Sequence, residues 1–264
     1  MQRPLLEDHQ LFLSVVIPAY NEGPTLATVV GKVLAIPNLL EIILVDDCST
    51  DGMSPIAERM ASEDDRVKYI RLETNQGKTN ALKVGFAHTR GQIVIVQDAD
   101  LEYDPQDIPD VINPIRTGSA DVVFGSRFMV KKAARVLYFY HYLANKSLTF
   151  ISNALTNLNL SDVETGYKAF RGEIIRNLVI TSKGFGFEIE VVAKVAKLGC
   201  AIYEVPISYY GRTYEDGKKI GFQDGLAALW YIFRFNFFCG LRSSFREVPE
   251  LNSTSDLLLS SDSK

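Results

Sequence analysis

The sequence is poor in the residues that would signal several common function classes. Its three cysteines, Cys48, Cys200 and Cys239, are far apart and form no C-x-x-C pair. That excludes a disulfide framework or a cysteine-based zinc site and predicts free thiols in a reducing, cytoplasmic setting. The three histidines, His9, His88 and His141, have no metal-ligand spacing and no G-x-S-x-G partner, so zinc chemistry and a hydrolase triad are not expected. There is no excess of basic charge: 28 Lys and Arg stand against 32 Asp and Glu, giving a net charge of −4 and no global field for nucleic acid. Long hydrophobic runs are also missing. The N-terminal apolar stretch is too short for a signal peptide, so export is not expected. The most apolar late segment, Leu226–Phe238, would span roughly 20 Å as a helix, short of the ~30 Å bilayer core.

What remains is a chain of 264 residues, 47% hydrophobic and 23% charged, enough for one packed α/β domain. Its first hundred residues alternate β-branched runs with longer helical patterns. Strands are expected at Leu13–Ile17, Ile42–Val45, Val67–Leu72 and Gln92–Val96, and helices over about 23–36, 54–62 and 78–89. This alternation predicts βαβ units, hence a doubly wound, mostly parallel sheet with helices on both faces. The second half is expected to hold a strand at Asp121–Phe124, a basic helical stretch from Lys131 to Leu158, a helix around Glu188–Leu198 and a strand near Ile202–Tyr209. From about Ser243 a Ser-rich tail is expected to be disordered, leaving residues 1–242 as the domain.

In a doubly wound sheet, ligands bind beyond the carboxyl ends of the strands. Here those ends are polar: Pro18-Ala-Tyr-Asn-Glu22, Asp46-Asp47-Cys-Ser-Thr-Asp51, Gln97-Asp-Ala-Asp-Leu-Glu102 and Gly125-Ser-Arg127. Asp98 and Asp100, one residue apart at a strand end, are expected to share a face and suit Mg²⁺ or Mn²⁺, with Glu102 as a further oxygen. The competing reading is a pair of capping or loop aspartates. Asp47 is expected to accept from the N–H of a uracil or guanine, whereas Ser49 and Asp51 cap the following helix. Gly77-Lys78-Thr79 lacks P-loop spacing. The loop 211–221 carries Arg212, Lys218 and Lys219, suited to closing over a diphosphate. Lys131, Lys132 and Arg135 beside Tyr138–Tyr142 read either as a solvated face or as a ledge for an anionic lipid head. Residues 226–238 read either as an amphipathic helix lying in the bilayer surface or as a core helix.

The blocks Val16–Glu22, Val45-Asp-Asp-x-Ser-Thr-Asp51, Asn75-x-Gly-Lys78, Asp98–Glu102 and Gly125-Ser-Arg127 resemble the family 2 glycosyltransferases of GT-A fold. The likeness covers about residues 12–240. Asn145-Lys, Glu164-Thr-Gly-Tyr-Lys168, Phe185-Gly-Phe-Glu188 and Val205-Pro-Ile-Ser narrow it to the dolichyl- and polyprenyl-phosphate sugar synthases. The resemblance implies Pro18, Tyr20, Glu22, Asp47, Lys78 and Ala99 around the nucleotide and Asp98, Asp100 and Glu102 around the metal, although relatives often have Gln where Glu102 stands. It implies Arg127 and Arg135 on the acceptor phosphate, Arg212 with Lys218 or Lys219 on the donor diphosphate, and Asp162 as a carboxylate before the Thr-Gly turn. The expected activity is metal-assisted, inverting transfer of a hexose from a nucleotide diphosphate sugar to a polyprenyl phosphate at the cytoplasmic membrane face, reached through residues 226–238 or a membrane-protein partner. Two alternatives stay open: transfer to a hydroxyl, with Asp162 or Glu164 as base, and a non-catalytic nucleotide-sugar-binding protein.

Overall fold

The computed structural model describes residue 6 and residues 10–129, 138–211 and 222–250. Lys131, Lys132, Arg135, Arg212, Lys218 and Lys219 lie outside the described residues. The strands are β1 (Leu13–Ala19), β2 (Leu39–Asp46), β3 (Val67–Arg71), β4 (Ile93–Val96), β5 (Val122–Ser126), β6 (Lys168–Arg171) and β7 (Ile202–Pro206). They form one sheet in the order β3-β2-β1-β4-β6-β5-β7. All pairings are parallel except those of β6, which runs antiparallel to β4 and β5. The expected doubly wound, mostly parallel architecture is therefore present.

Both faces of the sheet are covered, and the alternation along each strand shows it. Leu13, Val15 and Ile17 pack on one side against α1 (Gly23–Leu34), α2 (Met53–Glu63) and α4 (Ile108–Arg116), while Val16 faces α3 (Lys78–Ala87) on the other. Ile93 and Ile95 against Val94 and Val96 repeat the pattern in β4. The second face is completed by α5 (Phe139–Thr156), α6 (Gly172–Asn177), α7 (Phe187–Leu198) and α8 (Phe222–Phe237). At the amino ends of the strands, Ser14 donates to Glu41 at 2.8 Å, and Glu41 also takes Lys68 and Arg90. The buried Ser14 and Glu41 are thereby satisfied, which leaves the opposite edge for ligands.

Two topological features aim that edge. β1 has β2 on one side and β4 on the other, so the loops leaving β1 and β4 diverge and open a crevice at the switch point. The antiparallel β6 was not foreseen within the 162–171 segment. Because it runs the other way, the turn preceding it, residues 162–167, comes to the same edge as the loops following β1, β2, β4 and β5.

Two local expectations need correction. Ser49 does not cap α2; its Oγ accepts from the Asn21 N–H at 3.0 Å and so ties two loops together. Asp51 does receive the Met53 N–H at 3.1 Å, and its other oxygen takes the Gly23 N–H of α1 at 2.8 Å. Residues 243–250, which the sequence assigned to the tail, contact the domain: Phe245 is buried and bridges to Leu178 after the short helix α9 (Leu241–Ser244). Residues 251–264 lie outside the described residues. The segment 226–238 packs on the core along one side and leaves the other exposed. Ala228, Ile232 and Phe235 of α8 are buried, while Trp230, Phe233 and Phe237 on its other side are exposed.

Because Phe245 fills a buried position, Phe245→Ala is expected to cost about 3 kcal/mol of unfolding free energy in urea. A loss below about 0.5 kcal/mol, the range of surface substitutions, would show that these residues do not belong to the core.

Candidate active site

The strand-end loops line one cavity of about 390 Å³, within the range of small-molecule sites. Its walls include Pro18 near the end of β1, Tyr20, Glu22 and Asp47 from the loops after β1 and β2, and Asp98, Ala99, Asp100 and Glu102 from the loop after β4. Arg127, which follows β5, Lys78 at the start of α3, and Glu164 from the turn before β6 complete it with Glu188 of α7 and Tyr209 beyond β7. Of the sequence-derived site residues that fall among the described ones, all but Asp162 line this one space. Glu188 closed one of the motif blocks but was given no role, and Tyr209 was not singled out. Glu188 had a signal, since it sits in the first turn of a helix entered through Gly184-Phe-Gly.

The loops are braced by side-chain acceptors for backbone N–H groups. Asn21, held at a positive φ of 54°, accepts from Thr50 N at 2.8 Å. Thr25 of α1 donates to the Ala99 carbonyl at 2.7 Å, fixing the loop after β4. Asp47 accepts from Gln76 N at 2.9 Å and Gly77 N at 2.7 Å. A nucleotide base at Asp47 would therefore use the lone pairs that this turn leaves over. Gly77 needs its glycine: φ is 86°, and a Cβ would meet the Gly184 Cα at 3.3 Å.

Asp98 and Asp100 do not share a face by strand alternation, as the spacing suggested. β4 ends at Val96, and the acids sit in a turn in which Leu101 adopts a φ of 62°. The Asp98 oxygens lie 2.8 and 3.0 Å from the Lys78 ammonium, which also reaches Glu188 at 3.0 Å. Asp100 accepts from the Glu102 N–H at 3.1 Å, and Glu102 accepts from the Tyr209 hydroxyl at 2.9 Å. Burial opposes charge on Lys78, yet Asp98 and Glu188 hold its ammonium well above the ordinary lysine range. Among the described residues, no group of three or more His, Cys, Asp or Glu is arranged to hold a metal ion. Asp98 and Asp100 still offer hard oxygens to one cavity, which fits a divalent cation held by one or two carboxylates with phosphate and water filling the remaining positions.

On the opposite wall, Arg127 and Asp162 form a two-pronged pair: Nε and Nη2 each lie 2.7 Å from a carboxylate oxygen, and the Arg127 N–H adds a third bond at 3.1 Å. Asp162 is fully buried. Burial penalises both charges, but each partner holds the other ionised, Asp162 below and Arg127 well above its usual range. Asp162 is therefore an orienting group for Arg127, whose Nη1 is the nitrogen outside the pair. Next to it, burial and then the charge of Glu188 push Glu164 from 4.5 up to about 7. Beneath the turn, the buried Lys168 donates to the Val163 carbonyl at 3.1 Å over the Phe124 ring, and burial lowers it from 10.5 to about 8.

Comparison with known proteins supports the resemblance. The family model described as Glycosyl transferase family 2 matches residues 14–179. An undecaprenyl-phosphate mannosyltransferase of Micrococcus luteus is 32% identical over 213 residues, 78% of this chain and 86% of the relative. A polyprenol monophosphomannose synthase of Mycolicibacterium smegmatis is 30% identical over 214 residues, 78% of this chain and 80% of that protein. Among solved structures, glucosyl-3-phosphoglycerate synthase of Mycobacterium tuberculosis with Mn²⁺, UDP and glucosyl-3-phosphoglycerate aligns with a TM-score of 0.64 at 20% identity, over 85% of this chain and 80% of that one. That likeness shows the GT-A fold.

The Glu164 environment has a thermodynamic signature. Between pH 4.5 and about 7 the unfolded chain has released this proton while the folded chain keeps it, so stability falls as pH rises through that window and levels above it. Glu164→Gln is expected to remove the slope and to raise unfolding free energy at pH 8 by about 3 kcal/mol. Parallel pH–stability curves for the two proteins would contradict the raised value.

Proposed function

We propose a specific reaction on a plain premise: the chain belongs to glycosyl transferase family 2 and is a glycosyltransferase. The reaction is transfer of a hexose, with inversion at the anomeric carbon, from a nucleotide diphosphate sugar of the GDP-mannose or UDP-glucose type to a polyprenyl phosphate. The observation that carries it is the union of Asp98, Asp100, Lys78 and Arg127 in a single cavity at the switch point of the sheet. Such a mixture of hard acids and fixed cations suits a diphosphate leaving group and a second anion beside it. The two relatives named above, an undecaprenyl-phosphate mannosyltransferase and a polyprenol monophosphomannose synthase, support the acceptor class.

In this reading the nucleotide lies along Pro18, Tyr20, Glu22 and Asp47. Asp98 and Asp100, with Glu102 beside them, would hold a Mg²⁺ or Mn²⁺ ion. When bound, that ion neutralises charge building on the departing diphosphate. Lys78 adds a fixed positive charge at the same point. Arg127, oriented by Asp162, presents Nη1 to the acceptor phosphate. A phosphate is already anionic near neutral pH, so its attack needs alignment more than a base. Attack from the face opposite the leaving diphosphate gives inversion. Asp162, committed to Arg127, does not serve as the base that a hydroxyl acceptor would need. Arg135, Arg212, Lys218 and Lys219 keep their proposed phosphate-binding roles and lie outside the described residues.

Access to a lipid acceptor is proposed through the adjoining helices α5 and α8. Phe139, Leu143 and Phe150 of α5 and Trp230, Phe233 and Phe237 of α8 are exposed apolar side chains, with Phe150 74% and Trp230 59% accessible. Rings of this kind favour the interfacial layer of a bilayer. No helix among the described residues is long and apolar enough to cross a membrane; the exposed rings suit peripheral contact at the cytoplasmic face, aided or not by a membrane-protein partner.

The test incubates purified protein with radiolabelled GDP-mannose or UDP-glucose, Mn²⁺ and polyprenyl phosphate, followed by organic extraction. Label is expected in the lipid phase with one donor, to vanish with EDTA, and to fall at least about 100-fold in Asp98→Asn. Label that enters only a water-soluble product would overturn the acceptor assignment.

A further inference from the structure

Resting on the hexosyl-transfer reading, we propose that Glu164 hydrogen-bonds a hydroxyl of the transferred hexose and so selects the sugar.

The topology places it. A nucleotide sugar is a linear ligand, with base and hexose at opposite ends of the diphosphate. With the base along Tyr20 and Asp47 and the diphosphate at Asp98 and Asp100, the hexose falls toward the remaining wall of the cavity, made by Glu164, Gly166, Glu188 and Arg127. The height of Glu164 over the diphosphate end is locked: a Cβ on Gly166, two residues along the same turn, would sit 2.7 Å from an Asp98 oxygen and 3.3 Å from the Lys78 ammonium. The turn is pressed against the acids, and the Gly166 N–H is held by the Tyr103 hydroxyl at 3.0 Å.

The chemistry of the wall then decides what it binds. Glu164 Oε1 is buried without a hydrogen-bond partner, as is Oε2 of the neighbouring Glu188. The cations that could have paired with Glu164 are engaged elsewhere. Arg127 after β5 is paired with Asp162 on the same turn, Lys168 of β6 donates to the Val163 carbonyl, and Lys78 of α3 lies between Asp98 and Glu188 of α7. Among the described residues, no cation hydrogen-bonds Glu164, and the two unpartnered acid oxygens of Glu164 and Glu188 suit neutral donors. The hydroxyls of a hexose are such donors, and they are the groups by which one hexose differs from another. A buried acceptor left without its donor discriminates strongly against the ligand that lacks it. The two walls of the cavity thereby divide the donor: cations and acids paired at the diphosphate, unpaired acceptors at the sugar.

The experiment compares wild type with Glu164→Gln, using the accepted donor and its 2-, 3-, 4- and 6-deoxy analogues, and reads kcat/KM for transfer and donor affinity by calorimetry. With the parent donor the variant is expected to lose roughly 10- to 100-fold, while its nucleoside diphosphate affinity stays unchanged. With one deoxy analogue alone, wild type and variant are expected to converge, because the deleted hydroxyl is the one Glu164 holds. A loss of equal size across the parent and every analogue would overturn the proposal and point to Glu164 as a proton acceptor instead; no loss with the parent donor would also overturn it. If wild type transfers nothing to polyprenyl phosphate, the function proposed above fails, and convergence in donor affinity decides the role of Glu164 by the same criterion.

Discussion

One cation holds the site together. Three strand-end loops and one turn bring acids to the same edge of the sheet, and buried carboxylates of like charge do not tolerate such crowding without a counter-charge. Lys78 supplies it, with its ammonium within 3.0 Å of both Asp98 and Glu188. Its place follows from the sequence Gly77-Lys78: Asp47 fixes the N–H of Gly77, α3 begins at Lys78, and the side chain projects into the cavity from the first turn. The same logic recurs across the cavity, where Arg127 answers Asp162. Asp162, paired in this way, is held ionised by Arg127, whereas burial and the charge of Glu188 push Glu164 toward its neutral form.

The fold makes this crowding possible through one departure from a purely parallel sheet. Parallel strands deliver only the residues that follow them to the ligand edge. The antiparallel β6 delivers the residues that precede it, and these are Asp162, Glu164 and Gly166. The end of the cavity that holds Asp98 and Asp100 is thus built by parallel strands and the opposite wall by the turn before β6 together with α7. Tyr209 links the two, accepting the Arg127 guanidinium over its ring at 5.2 Å while its hydroxyl reaches Glu102.

Much of this was legible from residue order. Alternation such as Leu13, Val15 and Ile17 against Val16 announced a sheet buried on both faces, and acids directly after those strands announced the ligand edge. What failed were contacts between elements distant in sequence. β6 is four residues long and its pairing depends on β4 and β5, so nothing local marked it as a strand or gave its direction. Spacing placed Asp98 and Asp100 on an extended step, but the chain leaves β4 before them and reaches the cavity by a turn with Leu101 in the left-handed region. Ser49 has the chemistry of a helix cap, yet the Asn21 N–H, 28 positions away in sequence, claims it. Glu188 gained its meaning only from Lys78 across the cavity. The helix α8 read ambiguously because it is apolar on both sides, one facing the core and the other exposed.

The central claim is that Asp98 and Asp100, gathered with Lys78 at the switch point, receive the cation-bound diphosphate of the donor. Crystals grown with Mn²⁺ and the matching nucleoside diphosphate test it directly through anomalous scattering at the manganese edge. The account predicts one strong peak bonded to carboxylate oxygens of Asp98 or Asp100 and to a phosphate oxygen, with the Lys78 ammonium within reach of the same diphosphate. A nucleotide bound elsewhere, or bound in the cavity with Asp98 still closed on Lys78 and no manganese beside it, would contradict it.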